Sequence, residues 1–287
     1  MSRSDFLPER PGVPSVTVSI VSHGDGAAAL ELLRDLARHA RGSVARIVLT
    51  LNLPEPLFES CAAQACGGIA LQLVRNARPR GFGENHNAAF AAFAAFADSD
   101  RGAHFAVVNP DVRLSADPFP ALCAELARDA RAGCAYPAQR DALGRPCNPP
   151  RPVPTPANLL RRYLLGGEQR RSAAWVNAAF VLFRHDAFKT LGGFDPGYRL
   201  YCEDVDICLR LQLGNWRLVA ADSAVQHAGR RTSRGRLRHL AWHLRSLLRL
   251  WRSPVLHAYR NLPAPAAARG RAGSPNRLET NIRHRNS

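Results

Sequence analysis

Short apolar runs alternate with stretches of helical periodicity through the first 110 residues. The runs are rich in Val, Ile, Leu and Phe, and they predict strands at residues 16–21, 46–51, 69–74 and 104–108. The stretches between them predict helices at residues 27–40, 57–65 and 85–97. Strands that alternate with helices are typical of a parallel sheet covered by helices. The sequence therefore predicts an α/β fold with a Rossmann-like, mostly parallel sheet.

The second half of the chain is less regular. We expect strands at residues 175–183 and 216–220, and helices at residues 184–191 and 203–213. A segment rich in Pro and Arg, residues 137–156, precedes them. Because proline lacks the amide hydrogen that helices and central strands require, this segment predicts an extended surface loop. It is either a flap over a site or a plain linker.

An amphipathic helix is predicted near the C-terminus, over residues 236–251. Its apolar stripe spans about 120° and contains Leu237, Leu240, Ala241, Leu244, Leu247, Leu248 and Trp251. Four arginines lie beside the stripe: Arg238, Arg245, Arg249 and Arg252. Two interpretations stay open, an interfacial helix on an anionic membrane or a helix packed on the domain with its arginines in water.

These patterns divide the chain into four parts. We expect an N-terminal extension over residues 1–14, one α/β domain over 15–233, the basic helix over 234–262 and a disordered tail over 263–287. The start of the chain has no apolar core of the signal-peptide type, and no apolar run reaches the roughly 20 residues of a spanning helix. Seven scattered cysteines fit a reducing compartment. A cytoplasmic location is the expectation.

The charge balance is strongly basic. Lys and Arg total 39 against 23 Asp and Glu, which gives a net charge of +16, and Lys189 is the one lysine. The excess reflects either a composition bias or an anionic partner such as a nucleic acid, a nucleotide or a phosphate-bearing lipid surface. A nucleic-acid reader needs arginines interleaved with aromatic residues on one element. Here the arginines are dispersed, so we expect no specific nucleic-acid partner.

Polar residues follow the predicted strands at the edge where open α/β sheets bind ligands. They are Ser22, His23, Asn52, Asn76, Asn109 and Asp111. The first strand is not followed by a G-x-G-x-x-G fingerprint, and the chain has no G-x-x-x-x-G-K-[ST] loop. The sequence therefore does not favour an ordinary dehydrogenase or a P-loop enzyme.

Acidic residues provide the candidate chemistry. Asp111 follows a predicted strand, where it is either a turn residue or a ligand of Mg²⁺ or Mn²⁺. Glu203, Asp204 and Asp206 crowd the start of a predicted helix, and Asp206 is spaced for an ion pair four residues on. Glu203 and Asp204 are thus the acid–base candidates. His227 is a structural hydrogen-bonder, or a metal ligand if the fold brings it near Asp111.

Four segments, in this order, resemble the inverting nucleotide-sugar glycosyltransferases of family 2. They cover residues 18–23, 76–87, 108–112 and 192–210, and the last, with Gly-Gly-Phe-Asp followed by Tyr-Cys-Glu-Asp-Val-Asp-Ile-Cys-Leu-Arg, is the most specific. The chain is most similar to the bacterial rhamnosyltransferase-like branch, which builds cell-surface polysaccharides such as O-antigen. The resemblance implies a GT-A fold over most of the chain.

The resemblance also implies roles for individual residues. Asn109-Pro110-Asp111 stands in place of the family's DxD motif, so Asp111 would be the principal carboxylate for Mg²⁺ or Mn²⁺, with His227 as a second metal ligand. Asp204 matches the catalytic base, with Glu203 beside it. The expected reaction moves rhamnose or another hexose, with inversion, from a dTDP- or UDP-sugar to a glycan or lipid-linked acceptor. The place of action would then be the cytoplasm, peripherally on the inner face of the cell membrane.

Further residues follow from the same comparison of motifs. The nucleotide-sugar contacts would be Ser22, His23, Asn52, Asn76, Gly81, Asn87, Asn109 and Asp111. Trp175 and Asn177 fall in a segment near the acceptor, where Asn177 is a substrate contact or a buried hydrogen-bonder. The family's Asp-Asn run after the second strand is reduced to Asn52, and its Tyr-Asn after the first strand is His23-Gly24. A catalytically silent relative that only binds a nucleotide or glycan is the alternative function.

Overall fold

The computed structural model describes residues 16–94, 104–165, 174–227 and 236–262. Within these ranges one sheet contains nine strands: β1 Val16–Ser22, β2 Val44–Leu51, β3 Ala70–Arg75, β4 His104–Val108, β5 Val112–Arg113, β6 Ala132–Arg140, β7 Pro146–Cys147, β8 Phe180–Arg184 and β9 Arg217–His227. Their order across the sheet is β3-β2-β1-β4-β8-β6-β9-β5, and β7 pairs with β6. The first four strands are parallel, as the sequence predicts.

Helices cover both faces of this sheet. They are α1 Gly26–His39, α2 Pro56–Ala65, α3 Phe82–Ala94, α4 Phe119–Arg128, α5 Pro156–Leu165, α6 His185–Thr190, α7 Glu203–Leu213, α8 Arg236–Arg252 and α9 Pro254–Arg260. The strands have apolar residues on both faces because each face carries a helical layer. Ile20 belongs to one core cluster with Leu32 and Leu36 of α1, whereas Phe105 belongs to another with Phe188 of α6.

The second half of the sheet is mixed in direction. Strand β8 runs antiparallel to β4, so that Val108 pairs with Phe180. Strand β9 runs parallel to β6 and antiparallel to β5, where His227 pairs with Val112. These pairings place the start of β8 and the end of β9 near the carboxyl end of β4. This is the sheet edge at which the sequence predicts the polar site residues.

One expectation about the Pro- and Arg-rich segment is wrong. Residues 137–140 are the end of β6, a strand inside the sheet rather than a surface loop. Strand β6 accommodates Pro137 because the register with β9 shifts between Tyr136 and Ala138, which removes the need for a ladder donor there. The rest of the segment contains β7, and an isolated bridge joins Arg151 to Trp175.

Other boundaries differ from the sequence pattern in instructive ways. The strand predicted at residues 175–183 begins only at Phe180, and the strand predicted at residues 216–220 continues to His227. Helices α4 and α5 were not predicted, and the basic helix expected over residues 234–262 is divided at Ser253 into α8 and α9. The N-terminal extension over residues 1–14 and the tail from residue 263 lie outside the described residues, and the division of the chain into four parts stays a prediction.

Helix α8 packs on the domain through one face. Ser246 Oγ donates to the Leu200 carbonyl oxygen at 2.8 Å, and Trp251 Nε1 donates to the Pro154 carbonyl oxygen at 2.7 Å. Leu247 and Leu250 are buried beside Tyr198 in a third core cluster. Of the two interpretations of this helix, packing on the domain is therefore the one observed for the face that contains Ser246, Leu247 and Leu250. None of the described helices is long and apolar enough to cross a bilayer.

A buried histidine links the first strand to the third helix. His86 Nδ1 lies 2.8 Å from the Ser19 hydroxyl, and its ring contacts Phe82 edge-on with centroids 4.4 Å apart. Burial lowers the pKa of His86 from 6.5 to about 3. The His86 ring therefore binds its second proton more weakly in the folded protein than in the unfolded chain. As a result, the free energy of unfolding is unaffected by this group above pH 6.5 and decreases as the pH falls below that value.

We expect His86→Gln to reduce the acid sensitivity of folding. Between pH 7 and pH 5 the wild-type free energy of unfolding should fall by ~2 kcal/mol more than that of the variant, because the wild type takes up one more proton on unfolding, at the His86 ring that the variant lacks. Urea unfolding at the two pH values measures this difference. His257→Gln, at an exposed position on α9, is the matched control. Equal pH dependence of wild type and His86→Gln would contradict the assignment.

Candidate active site

An asparagine network organises the edge of the sheet beyond β1, β2 and β3. Asn52 Nδ2 lies 2.9 Å from His23 Nδ1 and donates to the Arg80 carbonyl oxygen at 3.0 Å. Asn52 Oδ1 accepts from the Arg80 amide and from Asn76 Nδ2, both at 2.8 Å. Asn76 also donates to Asn85 Oδ1 at 2.6 Å. Four of the polar residues at this edge thus form one connected group that includes the loop over residues 76–81.

Ser22 has a partner that the sequence reasoning missed. Its hydroxyl donates to Glu55 Oε1 at 2.7 Å, and the amide of Gly24 donates to the same oxygen at 3.1 Å. Glu55 precedes α2, one residue before Pro56. An acid there, three residues beyond Asn52, is the signal that could have revealed it.

Gly81 and Asn87 shape the loop and its contact with the second half of the chain. A Cβ on Gly81 would lie 3.0 Å from the Arg199 carbonyl oxygen, so glycine allows a close backbone approach there. Asn87 forms two hydrogen bonds with the backbone of Phe194: Nδ2 donates to the carbonyl oxygen at 2.8 Å, and Oδ1 accepts from the amide at 2.9 Å. Asn87 therefore holds the Gly-Gly-Phe-Asp segment against α3.

The fold brings Asp111 and His227 together, as the metal hypothesis requires. His227 Nε2 lies 3.3 Å from Asp111 Oδ1, and both side chains are largely buried. On the other side of the ring, Nδ1 lies 3.0 Å from Gln139 Oε1 and 3.1 Å from Asn148 Nδ2. When Nδ1 carries the proton and donates to Gln139, the Nε2 lone pair points toward Asp111 and is available to a cation.

Asn109 lies at the centre of this edge. Its backbone amide donates to the Ala179 carbonyl oxygen at 2.8 Å, which continues the pairing of β4 with β8. The turn at Asn109-Pro110-Asp111 is therefore fixed directly beside the segment that precedes β8. That segment contains Trp175 and Asn177.

The Pro- and Arg-rich segment connects the Asp111–His227 pair to α7. Asn148 has φ of +46°, and its Oδ1 accepts from Arg151 at 3.2 Å while its Nδ2 faces His227. The Arg151 guanidinium lies 5.6 Å from the centroid of the Trp175 ring and acts electrostatically on Asp204. Of the two interpretations of this segment, its participation in the site is the one that the contacts favour.

Helix α7 begins with two acidic residues, and the two residues before it have a strained backbone. Tyr201 and Cys202 have φ of +72° and +65°, a left-handed conformation that non-glycine residues adopt at a cost of about 1–3 kcal/mol each. This turn places Glu203 and Asp204 in the first turn of the helix, at the positive end of its dipole. Asp204 Oδ1 accepts from the Val205 amide at 2.8 Å.

The two acids differ in their environment. Burial raises the pKa of Asp204 to about 6, and backbone amides and the Arg151 charge limit that rise. Burial and the neighbouring Asp204 raise the pKa of Glu203 well above its usual range, and Glu203 Oε2 has no hydrogen-bond partner among the described residues. Burial and charge repulsion therefore disfavour the ionised form more strongly at Glu203 than at Asp204, where backbone amides and Arg151 favour it.

Asp206 has a structural role, as one partner of an ion pair within α7. Its Oδ2 accepts from Arg210 Nε at 2.6 Å, four residues along α7, and Arg210 also donates to the Leu191 carbonyl oxygen at 3.0 Å. The predicted ion pair is confirmed. Glu203 and Asp204 remain as the pair available for chemistry.

Trp175 and Asn177 both make local hydrogen bonds. Trp175 Nε1 donates to the Pro152 carbonyl oxygen at 2.9 Å, and Asn177 Oδ1 accepts from the Ala179 amide at 2.8 Å. Neither side chain is completely buried. Their role toward an acceptor stays a prediction.

Gln139, Asn148 and Arg151 were missed because they lie in the segment that the prolines marked as a loop. No local pattern distinguishes them, since their partners are far away in the chain: His227 is 88 residues from Gln139 and 79 from Asn148. The available sign of a strand there is the short apolar run over residues 132–136.

The same fold occurs in solved glycosyltransferase structures. The mannosyltransferase PcManGT from Pyrobaculum calidifontis, in complex with GDP-Man and Mn²⁺, superimposes with a TM-score of 0.57 at 19% identity, over 90% of this chain and 72% of that one. S. aureus TarS residues 1–349 in complex with UDP-GlcNAc gives a TM-score of 0.54 at 13% identity, over 74% of this chain and 58% of that one. The fold is the predicted GT-A fold.

The family is shown by the sequence match. Residues 14–244 match the family described as Glycosyltransferase like family 2, and the chain belongs to that family of glycosyltransferases. It is 40% identical over 77 residues to the rhamnosyltransferase WbbL of Escherichia coli K12, which is 26% of this chain and 29% of that protein.

A second relative matches over a longer stretch. The N-acetylglucosaminyl-diphospho-decaprenol L-rhamnosyltransferase of Mycobacterium tuberculosis is 31% identical over 159 residues, which is 49% of this chain and 52% of that protein. These matches thus span about half or less of the length of the curated relatives. The resemblance to rhamnosyltransferases drawn from the motifs is confirmed.

We expect Asn52→Ala to release the loop over residues 76–81. The change removes the side chain that bonds both backbone groups of Arg80, so the protein should lose about 1–3 kcal/mol of stability. Arg80 is exposed and is followed by Gly81, so limited trypsin digestion should cut there faster in the variant. Asn261→Ala, at an exposed position after α9, is the control. Unchanged cleavage at Arg80 would contradict the proposed tether.

Proposed function

We propose that this glycosyltransferase is a metal-dependent, inverting hexosyltransferase that uses a nucleotide-diphosphate sugar. One observation carries the proposal: the half-buried carboxylate of Asp204 is linked, through Arg151 and Asn148, to the Asp111–His227 pair. The proposed base, Asp204, and the proposed metal site, Asp111 with His227, are thus connected by hydrogen bonds and by the charge of Arg151. Asn109 and the segment before β8 lie beside them.

Asp204 would act as the general base. It accepts the proton of an acceptor hydroxyl, the hydroxyl oxygen forms a bond to the anomeric carbon, and the bond from that carbon to the diphosphate oxygen breaks. The diphosphate leaves with the electron pair of that bond. A single displacement inverts the anomeric centre, so no protein nucleophile is required. Burial and the neighbouring Asp204 raise the pKa of Glu203, so Asp204 is the member of the pair that we assign as the base.

Asp111 and His227 would hold Mg²⁺ or Mn²⁺. A carboxylate oxygen and an imidazole nitrogen that face each other, with Gln139 on the far ring nitrogen, suit such an ion. Ions of this kind take one or two protein ligands and complete their shell with water and phosphate oxygens. The bound ion would neutralise charge on the diphosphate leaving group.

The donor would bind along the asparagine network. His23, Asn52 and Asn76 line the edge beyond β1–β3, and Ser22 with Glu55 borders it. We propose a dTDP- or UDP-sugar, with rhamnose as the preferred hexose, because the relatives at 31–40% identity carry rhamnosyltransferase names. Asn52 supplies amide groups where the family's Asp is expected, so base selection would rest on it and His23.

The acceptor would be a glycan or a lipid-linked glycan of a cell-surface polysaccharide. The mycobacterial relative's name includes a diphospho-decaprenol acceptor, which supports a lipid diphosphate for this chain as well. Trp175 and Asn177, beside Arg151, would border the acceptor. Such a substrate would place the protein peripherally on the inner face of the cell membrane.

Asp204→Asn should lower sugar transfer at least about 100-fold, because an amide cannot take the acceptor proton. Donor binding should be unchanged. Wild-type kcat/KM should fall as the pH drops below about 6, where Asp204 becomes protonated. The measurement is transfer from a nucleotide-sugar panel between pH 5 and pH 8.

Two further variants make this test specific. Arg151→Gln removes a positive charge that lowers the pKa of Asp204, so the acid limb should move to higher pH. Asp186→Asn, at an 81% exposed side chain on α6, should match wild type. Full transfer by Asp204→Asn would refute the base assignment, and donor binding without turnover by wild type would favour the silent relative.

Metal removal should abolish transfer, and Mg²⁺ or Mn²⁺ should restore it. Asp111→Asn and His227→Gln should each need at least about tenfold more metal for half-maximal activity, the typical effect of weakening a metal site. Titration of EDTA-treated protein with MnCl₂ measures this requirement, and Asp186→Asn again serves as the control. Full activity of the EDTA-treated protein would overturn the metal assignment.

A further inference from the structure

Helix α8 keeps a leucine stripe exposed beside the face through which it packs on the domain. Leu240, Leu244 and Leu248 are 54%, 51% and 45% exposed. They are four residues apart and therefore lie on one side of three successive turns. The other large exposed apolar side chains of the described residues lie apart from one another: Leu143 in a turn, Leu160 on α5 and Leu262 after α9. A contiguous apolar stripe of this kind indicates an interaction surface.

Arginines border the leucine stripe. Arg245 and Arg252 are exposed, and at 100° per residue they fall on the side of α8 that adjoins Leu248. Arg245 also lines a cavity of about 370 Å³ together with Arg199 and Arg249. The arginine side of the helix therefore has room for a phosphate group.

The charge of the whole chain is concentrated around this helix. Twelve arginines and no Asp or Glu lie between Ser223 and Leu278. That stretch is about a fifth of the chain but supplies +12 of the net charge of +16. The rest of the chain carries all 23 acidic residues. A positive charge concentrated in this way favours an anionic partner.

We propose that the exposed face of α8, formed by Leu240, Leu244, Leu248, Arg245 and Arg252, docks on an anionic phospholipid bilayer. An apolar stripe with an adjoining row of cations is the arrangement that inserts leucines among acyl chains and places guanidinium groups at the lipid phosphates. A nucleic acid would leave the leucines without a role. A second copy of α8, or the arginine-rich tail beyond residue 262, would bring like charges together.

Docking would orient the site, and this consequence rests on the proposed function. The packed face of α8 contacts the turn that leads into α7: His239 lies 3.1 Å from the Tyr201 hydroxyl, Ser246 bonds Leu200, and Arg249 pairs with Asp195 at 2.8 Å. The membrane contact and the start of α7 at Glu203 are therefore separated by one layer of side chains. A lipid-linked acceptor would reach Asp204 from that surface.

Vesicle sedimentation of the full chain tests the docking directly. The wild-type protein should sediment with vesicles of equal parts phosphatidylglycerol and phosphatidylcholine, and not with phosphatidylcholine alone. Binding should weaken as salt is raised, because exposed charges are screened. Equal binding to both vesicle types, or to neither, would overturn the proposal.

Variants separate the apolar from the charged contribution. Leu244→Ser with Leu248→Ser should weaken partitioning at least about tenfold, since two leucines no longer enter the bilayer. Arg245→Gln with Arg252→Gln should weaken it by about tenfold or more on anionic vesicles. Leu143→Ser, at a 73% exposed leucine in a turn, and Arg128→Gln, at a 70% exposed arginine on α4, are the controls.

Two readouts distinguish this proposal from the proposed function. Metal-dependent donor turnover without vesicles should be the same in wild type and in the leucine double variant. If neither protein turns over the donor, the proposed function fails, while vesicle partitioning still tests the docking surface. Wild-type partitioning by the leucine double variant would overturn the docking surface. Concentration-dependent self-association that the leucine substitutions abolish would assign the face to a second copy and also overturn it.

Discussion

The pairing of β8 with β4 is the contact on which the site depends. Strand β8 runs antiparallel to β4, and the Asn109 amide continues the ladder to the Ala179 carbonyl oxygen. This pairing places the segment before β8 against the carboxyl edge of a sheet whose first four strands are parallel. Without it, the polar residues after β1, β2 and β4 would form half a site, because the carboxylates of α7 belong to the second half of the chain.

The charge arrangement at α7 follows from burial. Two adjacent carboxyls repel each other when both are ionised, and burial adds to this cost at Glu203, whereas the helix end, backbone amides and Arg151 favour the ionised form of Asp204. The left-handed turn at Tyr201 and Cys202 positions them at a cost in backbone energy. Packing of α8 against this turn, through Ser246 and His239, stabilises the strained conformation.

The asparagine network beyond β1, β2 and β3 has two roles. Asn52 tethers Arg80 and Asn76, so the residues expected to contact a nucleotide are also those that hold the loop in place. Asn87 likewise joins α3 to Phe194. A rigid loop of this kind reduces the entropy lost when a ligand binds.

Periodicity and strand-end chemistry in the sequence determined the alternating α/β order, the parallel first half, the start of α7 at Glu203 and the Asp206–Arg210 pair, because each depends on neighbours within a few residues. Only the tertiary structure decided that residues 137–140 form a sheet strand, that Gln139 and Asn148 flank His227, and that Arg151 acts on Asp204. Those contacts join residues dozens of positions apart, and sheet pairing, rather than local propensity, brings them together.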